Sequence, residues 1–207
     1  MKGEHEIKEL LIRNTVQLIA EGGFEKATTK AITHSGGNLD GIKMNEVYIY
    51  RLFGSKEHLY EEAFETLDDE FLYGVRVAFE HVHDLTQSPR DKMYTVFEEA
   101  WHFVLQNESH CRCYLRFYHS VYFKGEAIQR HNERFRYIVA EFAPLFKAEA
   151  DAYSVMHSIL TTMLDFAVRV FNGDLADNEI NRPHIFNVLY CIMMIYFRED
   201  LQADRII

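Results

Sequence analysis

Two residues in the N-terminal part of the sequence, Thr29 and Asn45, have side chains suited to the start of a helix. A hydroxyl or amide oxygen at that position accepts a hydrogen bond from a free backbone N–H of the first turn. The N–H groups that remain free at a helix N-terminus bind phosphate readily. The sequence therefore offers two candidate helix ends at which a phosphate group can bind.

The first two predicted helices are separated by a glycine pair. Apolar residues between positions 7 and 19 share one helical face, and Gly22-Gly23 follows them. Glycine adopts the left-handed conformation that ends a helix, so the first helix is expected to stop there. Either Thr28 or Thr29 can cap a short second helix, which ends by Ser35.

A third short helix follows, with Asn45 as its predicted cap. Ile49 and Phe53 lie on one face of it, and Gly54 ends it. Ser55 then caps a long fourth helix. Three short helices with a turn of small residues between the second and third are typical of a helix-turn-helix unit, which places one helix in the major groove of DNA.

This region resembles the tetracycline-repressor (TetR) family of bacterial transcription regulators. The resemblance covers LIRNTVQLIAEGGFEKATTKAI at 11–32 and MNEVYIYRLFGSKEHLYEEAF at 44–64. The Gly-Phe pair after the first helix, the paired threonines, Ile-Tyr-Arg-x-Phe and Ser-Lys-Glu all stand in the family's order. The later part of the chain is similar in length and helical character only.

The resemblance implies contacts with a double-stranded DNA operator. In such contacts a lysine donates to guanine and a glutamate accepts from the N4 amine of cytosine. Phosphate contacts are implied for Thr29, Asn45, Tyr50 and Lys56, and base contacts for Lys30, Glu46, Val47 and Tyr48.

One segment departs from the family pattern. The connection between the second and third helices is longer than usual, because GGNLDG at 36–41 stands within it. A long turn can tilt the helix that enters the groove. An alternative function is therefore a TetR-fold protein that senses a ligand or binds a partner and has lost DNA binding.

Charge is distributed unevenly along the chain. The net charge is -10, yet residues 1–60 hold eight basic and eight acidic side chains. The acidity is confined to residues 61–207, and the segment 26–56 has a net charge of +3. Because affinity for an anion follows the local charge of the binding face, the pattern indicates an anion-binding head on an acidic body.

The composition predicts an all-α protein of about nine helices. The 207 residues contain three prolines and ten glycines, and the apolar residues recur at helical spacing. One helical stretch is predicted to carry Tyr114, Phe117, Tyr118, Val121 and Tyr122. We expect a DNA-binding domain at 1–60 and a ligand-binding and dimerisation domain at 61–207.

The resemblance implies that this second domain binds a small-molecule effector and forms a homodimer. Family members dimerise through their last two helices, which here correspond to residues 153–171 and 183–198. Both stretches carry more apolar residues than one core usually needs, as expected when a second subunit covers them. A symmetric dimer would bind a palindromic operator, and ligand binding would release a repressor from it.

An aromatic stretch in the middle of the chain supplies candidate ligand-binding residues. Aromatic rings can line an apolar pocket while a few polar groups orient the ligand, although such rings are also common in a solid core. Aromatic rings beside acids would suit a lipophilic cation. The candidates are Tyr94, Phe97, Glu98, Trp101, His102, Tyr114, Phe117, Tyr118 and Tyr122.

Other chemistry receives less support from the sequence. The run His110-Cys111-Arg112-Cys113 offers soft metal ligands, but its spacing is not a zinc pattern and buried structural cysteines are the favoured interpretation. We expect no metal, no cofactor and no enzymatic activity, since catalytic motifs are not evident. The first ten residues lack the apolar core of a secretory signal, which predicts a cytoplasmic protein without a membrane segment.

Overall fold

Nine α-helices follow one another in the part of the chain that the computed structural model describes, residues 2–35, 44–82 and 86–199. The all-α prediction is confirmed. A 3-10 turn, Ala143–Leu145, follows the seventh helix and contains Pro144. The helices are α1 Lys2–Gly22, α2 Thr29–His34, α3 Val47–Phe53, α4 Lys56–Val82, α5 Pro89–Gln106, α6 Glu108–Tyr118, α7 Glu126–Phe142, α8 Ala152–Phe171 and α9 Asn181–Tyr196.

Local capping chemistry fixes many of the helix ends. The Ser55 hydroxyl accepts a hydrogen bond from the His58 N–H at 3.0 Å, and the Ser88 hydroxyl accepts one from the Asp91 N–H at 3.2 Å. Gly54 follows α3 with φ at 78°. An L side chain rarely adopts this left-handed conformation, so glycine ends the helix at the predicted position.

The chain forms two compact units. The first contains residues up to 69 together with 109–131, and the second contains 70–108 together with the chain from 132 onward. This division places the boundary within α4 and assigns α6 to the same unit as α1 to α3. The functional boundary near residue 60 stays a prediction, because compactness does not test which residues bind DNA.

Aromatic packing explains why α6 lies in the first unit. The rings of Phe64 on α4 and Phe117 on α6 stack with their centroids 4.5 Å apart. The Tyr60 hydroxyl donates to the Ala27 carbonyl at 2.5 Å, and an Arg116 guanidinium nitrogen donates to the Ile19 carbonyl at 2.9 Å. Both bonds attach α4 and α6 to the backbone around the end of α1.

The helix predicted to run through Tyr122 ends earlier, at Tyr118. The Ser120 N–H donates to the Phe117 carbonyl, and the Ser120 hydroxyl accepts from the Tyr122 N–H at 3.1 Å. These bonds close a turn in place of another helical one. Val121 is consequently 77% exposed, although its spacing from Phe117 had indicated a buried face.

The second unit is built mainly from contacts of α5 with α8 and of α8 with α9. A backbone bridge pairs Phe146 with Phe197, and the Lys147 N–H donates to the Tyr196 carbonyl at 2.8 Å. This bridge ties the residues after α7 to the residues that end α9.

Candidate nucleic-acid interface and ligand cavity

The start of α2 is capped by Thr28 and not by Thr29. The Thr28 hydroxyl accepts a hydrogen bond from the Ala31 N–H at 3.1 Å. Thr29 is the first helical residue, and its hydroxyl donates instead to the carboxylate of Glu46. Two residues predicted to contact DNA are thus in direct contact with each other.

The start of α3 is organised by Asn45. Its side-chain oxygen accepts a hydrogen bond from the Val47 N–H at 3.0 Å, while the Asn45 carbonyl accepts from the Tyr48 N–H at 3.2 Å. Glu46 directly precedes the helix and provides no side-chain cap. The N-cap of α3 is Glu46, so Asn45 stands one residue before the predicted cap position, and its side chain accepts from the first helical N–H instead.

α3 has one buried and one exposed face. Ile49 and Phe53, which were predicted to share one face of this helix, are both buried. Val47 is 67% exposed and Tyr50 is 55% exposed, so this short helix presents two large side chains to solvent. Lys30 is also exposed, near the start of α2.

Arg51, a basic residue on α3, is not among the predicted DNA contacts. Its guanidinium lies 4.8 Å from the ring centroid of half-buried Tyr48 and 3.2 Å from the Glu4 carboxylate. Arg51 is itself exposed. Its position within the Ile-Tyr-Arg-x-Phe motif could have identified it as a candidate DNA contact, because arginine commonly binds phosphate and guanine.

Lys56 begins α4. Its ammonium lies 5.5 Å from the ring centroid of Tyr60, which is within the range of a cation–π interaction. The phenol of Tyr60 is buried, and burial is the largest cause that raises its pKa, followed by Tyr122 and Glu57. Tyr60 is therefore a neutral partner for the lysine at ordinary pH.

The long segment GGNLDG at 36–41 lies outside the described residues.

The nine predicted ligand-binding residues are divided between the two units. The five on α5 lie in the second unit, and the four from Tyr114 onward lie in the first. Trp101 is buried, and its indole N–H donates to the Asp177 carboxylate at 3.0 Å. Burial is the largest cause that raises the pKa of Tyr94, and the neighbouring Glu98 raises it further. His102 contacts the Gln106 side chain at 2.7 Å.

The four predicted residues of the first unit are packed against other side chains. Tyr114 and Phe117 are buried against Phe64. Tyr122 packs edge-on against Tyr60 with the centroids 5.2 Å apart. Burial and the nearby Asp68 raise the pKa of Tyr118. These contacts are those of a core, and the assignment of the four residues to a ligand site stays a prediction.

An apolar cavity of about 100 Å³ lies within the second unit. Residues of α4, α5, α7, α8 and α9 line it, and all eighteen lining side chains are apolar. Phe97 is the one predicted ligand-binding residue among them. The phenylalanines and methionines of the lining are Phe71, Phe79, Phe97, Phe135, Phe142, Phe186, Met93, Met156, Met163 and Met193.

These lining residues were missed because helical spacing marks a buried face without showing whether neighbouring faces fill it. Phe71 and Val75 recur at helical spacing in α4, as Met93 and Val96 do in α5. The remaining gap depends on side-chain volumes from five helices. The sequence pattern does not show whether the side chains of the five helices fill the space between them.

The cysteines of α6 have the character of core residues. Cys111 and Cys113 are buried, and burial raises the pKa of the Cys113 thiol to about 12, partly offset by Arg116. A thiol with such a pKa supplies little thiolate for a metal at neutral pH. Within residues 2–35, 44–82 and 86–199, no three His, Cys, Asp or Glu side chains are grouped so that they could hold a metal ion.

Comparison with solved structures identifies the fold. A TetR family transcription regulator from Marinobacter aquaeolei VT8 superposes with a TM-score of 0.72 at 16% identity, over 93% of this chain and 98% of that one. A second such regulator, from Shewanella sp. PV-4, gives 0.68 at 14% identity over 90% and 95%. The fatty acid degradation regulator FadR from Bacillus halodurans gives 0.60 at 15% identity over 95% and 98%.

No protein-family model matches the sequence, and no curated protein matches it. The likeness to the solved structures extends over nearly the whole of each chain. The protein therefore has the fold of the TetR-family regulators, as the resemblance of its N-terminal sequence implied.

Proposed function

We propose that the protein is a transcription regulator that binds DNA through α2, α3 and the start of α4. The observation that carries this proposal is the division of α3 into two faces. Ile49 and Phe53 are buried, whereas Val47 and Tyr50 of the same short helix are largely exposed. An apolar side chain is costly to expose to water, but in the major groove it can contact a thymine methyl group.

The charge distribution also supports DNA binding through the exposed face of α3. Lys30 and Arg51 are exposed near it, and Lys56 stands at the start of α4. The acidic excess of the chain begins only after residue 60. In the proposed complex Thr29, Asn45, Tyr50 and Lys56 contact phosphates, and Lys30, Glu46, Val47 and Tyr48 face the bases.

We propose further that two copies associate through α8 and α9. On α8 the apolar side chains of Phe166, Val168 and Val170 are only half-buried. This helix is long and apolar enough to cross a membrane by length and composition alone, a test that core helices also pass. On α9, Val188 and Ile195 are 44% and 64% exposed and lie two turns apart. A second copy of the chain would cover these apolar faces and present two heads to a palindromic operator.

The remaining part of the proposal is regulation. A small molecule in the cavity of the second unit would favour a conformation with lower operator affinity, which makes the protein a repressor released by its effector. The proposed role includes no catalysis, and a DNA-binding regulator of this kind would act in the cytoplasm.

Salt dependence of DNA binding tests the proposal. Each phosphate contact releases counterions, so the logarithm of the affinity falls with the logarithm of the salt concentration, with a slope of about -0.9 per contact. Lys56→Ala should weaken binding to all duplexes alike and reduce the slope by about one. Lys124→Ala removes an exposed lysine from the turn before α7 and serves as the matched control.

The proposed assignment of Lys56 requires that these two variants differ. Equal slopes for wild type, Lys56→Ala and Lys124→Ala would contradict the phosphate contact. Failure of the folded wild-type protein to bind any duplex, even at low salt, would contradict DNA binding itself. That second result would favour a protein that senses a ligand without binding an operator.

A further inference from the structure

We infer that the cavity of the second unit binds a small uncharged hydrocarbon, of about the size of benzene, and rejects the lipophilic cations that the sequence suggested. This inference deepens the proposed function, since the hydrocarbon would be the effector. It is carried by the lining of the cavity, which consists entirely of apolar side chains from five helices.

The nearby acids are engaged elsewhere. Glu99 lies 2.9 Å from the imidazole of His81 and is not among the lining residues. Glu98 interacts with the Tyr94 hydroxyl and does not line the cavity either. Burial of a charge without a partner is strongly unfavourable, and burial of an uncompensated hydrogen-bonding group is also costly. The lining therefore selects against cations, against carboxylates and, less strongly, against alcohols.

The volume limits the size of the ligand. An apolar cavity of about 150 Å³ lined by Leu, Ile and Phe stays dry and admits benzene or xenon. The cavity here is about 100 Å³, so it accepts a molecule of the size of benzene, or slightly smaller, without rearrangement. Met93, Met156, Met163 and Met193 contribute to its wall. Methionine is flexible and polarizable, so these side chains can adjust to a ring that carries an additional methyl group.

A matched ligand series tests the inference with the full-length protein. Benzene, toluene, benzylamine and benzoate share one ring and differ by a methyl group, a cation and an anion. Binding is measured by calorimetry and by the thermal unfolding midpoint, in the absence of DNA. We expect toluene to bind about fourfold more tightly than benzene, which corresponds to the burial of one more carbon. The charged compounds should bind about a hundredfold more weakly or not at all.

Two substitutions locate the binding. Ala100→Phe places a ring in the cavity and should abolish toluene binding, while Ala140→Phe makes the same change at an exposed position of α7 and should leave it intact. If Ala100→Phe does not fold, Leu160→Ala provides the complementary test. It enlarges the cavity, so butylbenzene should bind to this variant at least tenfold more tightly than to the wild type.

The outcomes separate this inference from the proposed function. Tighter binding of benzylamine or benzoate than of toluene would overturn the inference, as would failure of both hydrocarbons to bind the folded protein. Toluene binding that Ala100→Phe leaves intact would also overturn it. If toluene binds as expected but operator affinity does not respond, the hydrocarbon site stands and the effector role within the proposed function fails.

Discussion

The Thr29 hydroxyl donates a hydrogen bond to the Glu46 carboxylate, which joins the first residue of α2 to the residue that precedes α3. The two residues are 17 positions apart in the chain. Both were predicted to contact DNA, Thr29 at a phosphate and Glu46 at a base. Because they share a hydrogen bond, a change at either one also alters the other.

A double-mutant cycle should detect this coupling in DNA affinity. Thr29→Val removes the hydroxyl at nearly constant shape, and Glu46→Gln removes the negative charge that strengthens the hydrogen bond. The two single effects should not add, and we expect a coupling free energy of about 0.5–1.5 kcal/mol. Fluorescence anisotropy with a labelled duplex measures the four affinities.

A matched pair provides the control for the cycle. Thr29→Val combined with Tyr50→Phe changes two predicted phosphate contacts between which the structure gives no hydrogen bond. These effects should add within about 0.5 kcal/mol. Additive effects of Thr29→Val and Glu46→Gln would mean that the hydrogen bond has no influence on binding.

Stability should respond to Tyr60→Phe. The substitution removes the buried hydrogen bond to the Ala27 carbonyl, and we expect it to lower the free energy of unfolding by about 1–2 kcal/mol. Burial holds the pKa of Tyr60 above its ordinary value of 10.0, with smaller contributions from Tyr122 and Glu57. Stability that this residue contributes is therefore complete below pH 10 and is lost as the pH rises further, because the unfolded chain ionises first.

Urea denaturation at pH 7 and at pH 10.5 measures both effects. Tyr50→Phe is the control, since its side chain is 55% exposed and its hydroxyl has no assigned role in folding. Equal stability of the Tyr60 and Tyr50 variants at pH 7 would contradict the structural role of the Tyr60 hydroxyl.

The loop before α9 should make the second unit sensitive to acid. Asp177 accepts a hydrogen bond from the Trp101 indole at 3.0 Å and two from the Arg182 guanidinium at 2.7 Å each. The hydrogen bonds from Arg182 are the largest cause that lowers the pKa of Asp177 below its ordinary value of 3.8, and the bond from Trp101 adds to it. As the pH falls, the Asp177 carboxylate is therefore protonated in the unfolded chain before it is protonated in the folded one. The stabilisation that it provides is lost as the pH falls below its ordinary pKa.

Asp177→Asn should lower stability by about 1 kcal/mol at pH 7 and make it less dependent on acid. Trp101 is the single tryptophan of the chain, so its fluorescence reports unfolding of its surroundings directly. Asp174→Asn is the matched control on the same loop, where the Arg169 pair is exposed, and should change stability by less than about 0.5 kcal/mol. The same acid dependence in wild type and Asp177→Asn would refute the assignment.

Dimer formation should depend on the exposed face of α9. Ile195→Glu places a charge on the apolar face that also carries Val188, and we expect at least a tenfold increase in the dimer dissociation constant. Tyr137→Glu makes a similar change on α7, where the side chain is 74% exposed, and should leave association unchanged. Sedimentation velocity over a range of concentrations distinguishes these results. Unimpaired dimerisation of Ile195→Glu would exclude this face as the interface.

The sequence predicted the elements of the head because their signals are local. Ser55 and Gly54 act within one turn of a helix, and each lies at the helix end where it was expected. The buried positions of α3 followed from spacing alone, since Ile49 and Phe53 are one turn apart.

Features that depend on distant contacts were not predictable in this way. The Thr29–Glu46 bond joins residues whose types allow several partners, and capping by Thr28 in place of Thr29 releases the hydroxyl for it. The early end of α6 depends on side chain to backbone bonds of Ser120 that compete with a helical turn. The cavity requires the packed volumes of five helices, which apolar periodicity does not contain.

Selection of binding sites from randomised duplex DNA tests the central claim most directly. The full-length protein is used at about 0.1 M salt, which partly screens nonspecific attraction to phosphate. Operator binding by a symmetric dimer should enrich a palindrome whose half-sites are about one helical turn of DNA apart, or a multiple of it. Absence of any enriched sequence, from protein shown to be folded and dimeric, would contradict the account.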